Sequence, residues 1–256
     1  MSTRTLAGTS SPSVDPHLAR RLVQEWDEQQ QRYALHRDTR FEVVLDVLAG
    51  HPGPANPTVV DLGCGPGSLT ARVARRLPSA HVIGLDADPL LLALGRAACP
   101  EVGRFTQVLI GAPGWPRTAG LTRPVDAVVS STALHYLDPE ALARLYRDLA
   151  ALVRPGGLLV NADHLPSGDP ALDAVHARLL PPAGDLPQRD WAQWWQDVES
   201  HPDMADLLAL RRQGPTVSGD HAVPLAVHTA LLRRAGFTSV GTAWQHGTSV
   251  VLVAVR

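Results

Sequence analysis

The run Thr58-Val-Val-Asp-Leu-Gly-Cys-Gly-Pro-Gly-Ser-Leu69 constrains this chain more than any other stretch. It opens on the apolar pair Val59 and Val60, stops on Asp61, and then places Gly63, Gly65 and Gly67 at alternate positions. Beyond the glycines Leu69, Val73 and Leu77 recur every four residues, with arginines on the other faces. That pattern predicts a strand, a glycine loop and a helix. Glycine admits backbone angles closed to other residues and lets a ligand lie against the main chain. The helix start behind the loop offers unpaired N–H groups to an electronegative part of that ligand.

The spacing is not that of a dinucleotide fingerprint, which needs its third small residue one place later, where this chain has Ser68. About twenty residues on, His81-Val-Ile-Gly-Leu-Asp86 reads as a second strand ending in a carboxylate, a group able to accept from both hydroxyls of a ribose. The run D-x-G-x-G-x-G followed by Asp86 resembles motifs I and II of the class I S-adenosylmethionine-dependent methyltransferases. Further along, Pro124-Val-Asp-Ala-Val-Val-Ser130 followed by Ser131-Thr-Ala-Leu-His-Tyr136 resembles motif IV of the small-molecule members. The resemblance covers 58–163 and 225–256, is loose at 15–50, and is absent in detail between.

The resemblance implies a Rossmann-like α/β fold: a seven-stranded mixed sheet of order 3-2-1-4-5-7-6, strand seven antiparallel, with a helical cap inserted after strand five. The implied ligand is S-adenosylmethionine, its product S-adenosylhomocysteine. The implied cofactor residues are Asp61, Gly63, Cys64, Gly65 and Gly67 in the loop, Asp86 and Ala87 after strand two, and Ser130 at the end of strand four. In related enzymes an N-terminal helical segment folds over the pocket, which makes Tyr33 and Arg40 candidates for the methionine end. Many members carry an Asp after strand three, near the adenine amino group. This chain has Gly111-Ala-Pro-Gly-Trp115 there, so the expectation shifts to backbone and apolar contact around Gly111 and Ala112.

Taken in order, 1–14 reads as a flexible tail and 15–50 as a helical segment. Its apolar stripes run through Leu18, Leu22, Val23 and Trp26, and then through Phe41, Val44, Leu45 and Leu48. The core is 51–164 with 224–256. Strand three is expected at Arg104–Ile110, and strand five at Leu158–Asp163 after a turn at Arg154-Pro-Gly-Gly157. Asp88-Pro89 starts a helix, which gives Asp88 a structural role. Across 165–223 prolines break the chain into short helical pieces, a cap without which the core pattern is already complete. Trp191, Trp194 and Trp195 fall in the cap, and they suit either a wall for an apolar or aromatic substrate or the glue that holds the cap down.

Methyl transfer needs the nucleophile held in line with the methyl carbon and sulfur, and a base where a hydroxyl or amine must lose a proton. His135 and Asp163, at the ends of strands four and five, are the candidate base and its orienting carboxylate, with His164 as the reserve base and a candidate for binding substrate. The expected activity is that of an S-adenosylmethionine-dependent methyltransferase (EC 2.1.1.-), acting on an oxygen, nitrogen or carbon of a small molecule. Two other readings stay open: a non-catalytic protein that binds the same ligands, and an NAD(P)-dependent oxidoreductase, against which Ser68 and Asp61 argue.

The remaining expectations come from composition. A formal charge of −2 provides no global field for nucleic acid or an anionic membrane. Every basic residue among the 23 Lys+Arg is Arg. The 11 His show no ligand spacing, so no metal is expected. Two cysteines make no disulfide framework, and with no apolar run of membrane-spanning length the expected place is the cytoplasm. Oligomeric state is not legible.

Overall fold

The computed structural model describes residues 14–179, 191–215 and 219–256. The expected tail lies outside them apart from Val14, which is buried, as do Pro181, Pro182 and Pro187 of the cap. Strands β1 (Thr58–Leu62), β2 (His81–Asp86), β3 (Arg104–Gln107), β4 (Val125–Ser131), β5 (Val153–His164), β6 (Ser239–His246) and β7 (Ser249–Val255) form one seven-stranded sheet in the order β3-β2-β1-β4-β5-β7-β6. The first five strands pair in parallel, and β7 runs antiparallel to both β5 and β6. The order reverses between β1 and β4, so the crevice of a doubly wound sheet opens at their carboxyl ends.

Alternation along the strands sorts the core into two layers. Val60, Leu62, Val128, Leu159 and Leu252 face α6 (Pro139–Leu152) and α10 (Leu225–Ala235), where Leu142, Leu145, Leu149 and Leu232 cover them. Val59, Val129, Leu158, Val160 and Val251 face the other way, onto α2 (Arg37–Gly50) and α3 (Ser68–Arg76). There Phe41, Val44 and Leu45 pack with Leu69 and Val73.

The N-terminal segment is two helices. After α1 (Pro16–Tyr33) the chain turns through His36, which sits in the left-handed region at φ 57°, and restarts as α2. The turn is tied down where the Ser249 hydroxyl donates to the Leu35 carbonyl at 2.9 Å. It lets each stripe meet a different partner: Leu18, Leu22 and Trp26 pack on α4 (Pro89–Ala98), Phe41 and Val44 on the sheet. Strand β3 ends at Gln107, earlier than expected, because 109–112 closes a turn in which the Ala112 amide donates to the Leu109 carbonyl. Strand β5 starts at Val153, earlier than expected, because Val153 already pairs with Val125 before an irregularity in the ladder.

The cap holds α7 (Pro170–Ala177), α8 (Trp191–Ser200) and α9 (Ala205–Gln213). Trp194, Trp195, Val198, Leu207 and Leu208 share one apolar cluster with Leu22, Trp26, Leu90 and Leu94. The cap is thus built into the same packing as α1 and α4 rather than resting on a finished core.

Candidate active site

At the carboxyl end of β1 the Gly63 and Cys64 amides both donate to the Leu85 carbonyl of β2, at 2.8 and 3.0 Å. The loop is then pinned to the end of β2: the Gly65 amide donates to Asp86 at 2.8 Å. The other Asp86 oxygen accepts from the Asp88 amide at 2.9 Å, and Asp88 in turn caps α4. Gly63, Gly65 and Gly67 have φ of 67°, 56° and 90°, angles that side chains resist. A Cβ on Gly63 would strike that of Ala133 at 2.3 Å, and one on Gly67 would strike the Phe105 ring at 2.7 Å. A Cβ on Gly65 would meet only the Trp26 ring, at 3.6 Å.

Above this loop lies a pocket of about 1000 Å³, part of it open to solvent. Its wall includes Asp61, Gly63, Cys64, Gly65, Asp86 and Ala87, as the sequence suggested. Other residues that the resemblance pointed to lie elsewhere. Gly67 lies outside the wall and starts α3 instead. Ser130 is buried, its hydroxyl spent on the Leu62 carbonyl at 2.8 Å. The wall after β3 runs along Val108, Leu109 and Ile110 and stops short of Gly111 and Ala112, because the turn there carries them aside.

Tyr33 and Arg40 are not in the wall either; Trp26, Gln30 and Arg37 stand there. The break at His36 rotates α2 against α1, so the face a continuous helix would have presented is not the one that arrives. Arg40 goes into the interior, fully buried, its guanidinium nitrogens without hydrogen-bond partners and its pKa pushed down to about 10 by that burial. Tyr33 takes a structural part: its hydroxyl accepts from the Trp191 amide at 3.1 Å, and its carbonyl contacts His164 Nε2 at 2.8 Å. His164 is therefore occupied away from the pocket. Arg37 is held by Asp27 at 2.9 Å, and Asp27 also accepts from the Ser68 hydroxyl and from Arg72. Burial would raise the Asp27 carboxyl, but Arg37, Ser68 and Arg72 outweigh it and hold it below the ordinary value.

Of the three tryptophans in the cap, only Trp191 lines the pocket. Trp194 is fully buried and donates to the Leu22 carbonyl at 3.0 Å, and Trp195 lies under the Arg211 guanidinium, 3.8 Å from its ring centroid. Those two glue the cap down. Trp115 likewise anchors the short helix α5 (Trp115–Thr118), buried and donating to Asp148 at 3.0 Å.

His135 sits in a short 3-10 turn after β4 and is not itself in the pocket wall, which Ala133 and Tyr136 of the same segment reach; its ring lies 4.3 Å from that of Tyr136. Its Nδ1 pairs with Asp163 at 2.9 Å, which leaves Nε2 for another partner. Asp163 is buried at the end of β5 and also accepts from the His164 amide. Burial opposes the charge on both groups, yet their hydrogen bond prevails. The His135 pKa is raised, with Asp220 adding to the effect, and Asp163 is lowered. Among the described residues no group of three His, Cys, Asp or Glu side chains is placed to hold a metal ion.

Asp61 provides a test of the site's electrostatics. Burial and the neighbouring Asp86 push its pKa up to about 7, although the Thr70 hydroxyl donates to it at 2.6 Å. A carboxyl raised from 3.8 to about 7 favours the folded state fully below the unfolded pKa and loses that advantage as pH rises through about 7. By pH 8 the buried charge costs about 4 kcal/mol at 1.36 kcal/mol per unit. Asp61→Asn keeps an acceptor for Thr70 and removes the charge. The variant is expected to melt several degrees above wild type at pH 8 and to gain little at pH 4; equal shifts at both would show that the charge is not the cause.

Residues 59–157 match the methyltransferase domain family. The trans-aconitate 2-methyltransferase of Methylobacterium radiotolerans is 32% identical over 205 residues, covering 70% of this chain and 74% of that protein. The chain belongs to the class I S-adenosylmethionine-dependent methyltransferases. The enzyme of the same name from Azoarcus sp. is 37% identical over 134 residues, 52% of this chain. There the match spans about half of the relative, 49% of its length. Solved methyltransferases share the fold. An O-methyltransferase family 2 protein from Planctomyces limnophilus, in complex with apigenin, matches at TM-score 0.58 and 17% identity, over 96% of this chain and 63% of that one. Magnesium protoporphyrin IX methyltransferase from Synechocystis, with bound S-adenosylhomocysteine, matches at TM-score 0.55 and 19% identity, over 94% and 100%.

Proposed function

We propose that this methyltransferase moves the methyl group of S-adenosylmethionine to a small molecule, with a carboxylate oxygen of an organic acid as the first acceptor to test. The observation that carries the reading is a single pocket that joins the glycine loop, Asp86 and the turn bearing His135. The residues present fit the donor. Arg37, fixed by Asp27, suits the methionine carboxylate. Asp86, already locked by two backbone amides, presents its remaining lone pairs to ribose hydroxyls. Ala87, Val108, Leu109 and Ile110 form an apolar slot for adenine. When bound, the donor supplies an electrophilic sulfonium methyl group. The chain's own task is to align the acceptor and exclude water, a source of several kcal/mol. With Asp163 holding Nδ1, His135 Nε2 is the ring nitrogen left free to take a proton from a hydroxyl or amine brought to the turn beside the pocket. A carboxylate acceptor needs no such base, and there the imidazolium would orient the acid instead.

The acceptor class is drawn from the curated relatives, which are trans-aconitate 2-methyltransferases. Among the described residues no helix is long and apolar enough to cross a membrane, and both cysteines are free and buried. The reading is of a cytoplasmic enzyme of small-molecule metabolism. Calorimetry with S-adenosylmethionine, S-adenosylhomocysteine, NAD and NADP tests it, followed by mass spectrometry of reactions with trans-aconitate and a panel of small acids, phenols and amines. Binding of the first two alone, and a product heavier by one methylene, are expected. Binding of nicotinamide nucleotides would overturn the cofactor assignment. Tight binding with no product across the panel would favour a non-catalytic binding protein.

A further inference from the structure

Trp191 opens α8, with its amide fixed by the Tyr33 hydroxyl, and its indole lies 5.3 Å from that of Trp26 at a tilt of 58°. Trp26 itself covers Gly65, so the two indoles continue one wall upward from the glycine loop. Trp191 also meets the Trp195 ring, 5.7 Å away, yet remains 39% exposed while Trp194 is fully buried, so part of its surface stays open. Tyr136 lines the same pocket and is 36% exposed.

The charges around this wall point one way. Asp86 is in the wall beside Asp61, whose carboxyl gains its charge only as pH rises through about 7, and the sole basic side chain among the wall's described residues is Arg37, already paired with Asp27 and stacked 4.6 Å above Phe41. The pocket therefore combines aromatic π-faces and carboxylates with one neutralised cation. Such surroundings attract a soft, weakly hydrated cation such as a sulfonium. An indole contributes most when the cation is stripped of water.

We infer that Trp191, with Trp26 and Tyr136, forms an aromatic wall that recognises the sulfonium charge of the donor, so that the cap helps the enzyme hold the charged donor in preference to its neutral thioether product. This rests on the cofactor reading above. It moves Trp191 from a substrate-facing role to the donor, and it ties product release to chemistry: once the methyl group has left, the charge that held the ligand against the wall is gone.

The test is calorimetry of wild type, Trp191→Leu and Trp191→Phe with three ligands: S-adenosylmethionine, S-adenosylhomocysteine and sinefungin, whose protonated amine puts a cation in place of the sulfonium. Trp191 is partly exposed, so its replacement leaves a folded chain, and thermal melts check this. Trp191→Leu is expected to weaken the two cationic ligands about tenfold and the thioether less than threefold. Trp191→Phe, which keeps a π-face, should stay within about threefold of wild type for all three. Equal losses on all three ligands would show plain packing and overturn the inference, as would no loss on any. Wild type binding none of the three would instead remove the cofactor reading itself.

Discussion

Gly65→Val is expected to give a folded protein that no longer binds S-adenosylmethionine. The three loop glycines are not equivalent, and the difference makes this the informative substitution. Side chains at Gly63 or Gly67 would collide with Ala133 or Phe105, so losses there would report disturbed packing. At Gly65 the added atoms have only the Trp26 ring ahead of them, at ordinary contact distance, across space that belongs to the pocket. The backbone at φ 56° costs a non-glycine residue roughly 1–2 kcal/mol, and a β-branched one more. That is small beside the roughly 5–15 kcal/mol stability of a domain. The cost in binding is larger, because the isopropyl group occupies the volume in which the ligand must lie against the main chain. The expected loss is at least about a hundredfold, or about 2.7 kcal/mol. Circular dichroism and a thermal melt establish folding; calorimetry measures affinity. A folded variant with wild-type affinity would mean that the loop is not the cofactor cradle.

His135→Ala is expected to lower single-turnover methyl transfer to a hydroxyl or amine acceptor by about 10²-fold or more, with donor affinity nearly unchanged. The pairing of Nδ1 with buried Asp163 fixes the ring and leaves Nε2 as the group able to exchange a proton. Because Asp163 raises the His135 pKa, the imidazole is protonated up to and beyond the usual 6.5. The base form grows as pH rises through that raised value, so the wild-type rate should climb between pH 6 and 9 and level off above it. Asp163→Asn removes the charge that stabilises the imidazolium. Its profile should therefore move to lower pH, while the plateau falls because the ring is less well held. A His135→Ala rate equal to wild type across the whole range would leave alignment as the mechanism. With a carboxylate acceptor, which the imidazolium orients, the rate should instead fall as pH rises through the raised His135 value.

The sequence carried the sheet because its determinants are local and periodic. Val59 and Val60 before the glycines, the run ending at Asp86, and the leucines of α6 each fix an element from its own residues, while the order of the strands came from the family resemblance. The loop's contribution to the site was legible for a related reason: a D-x-G-x-G-x-G run needs its glycines for backbone angles, and those angles set the pocket floor. The His135–Asp163 pair was also within reach, since both residues end adjacent strands. What the sequence could not show depended on how helices turn relative to one another. A left-handed His36 decided that Arg37 rather than Arg40 reaches the pocket, and nothing in the apolar stripes records that rotation. The turn at 109–112 took Gly111 and Ala112 out of the wall. Three tryptophans in five residues looked alike as sequence; α8 turns two of them into the packing with α1 and α4 and leaves Trp191 on the pocket. Strand and loop identity is written in neighbouring residues, whereas the direction in which a side chain finally points is set by contacts between residues far apart in the chain.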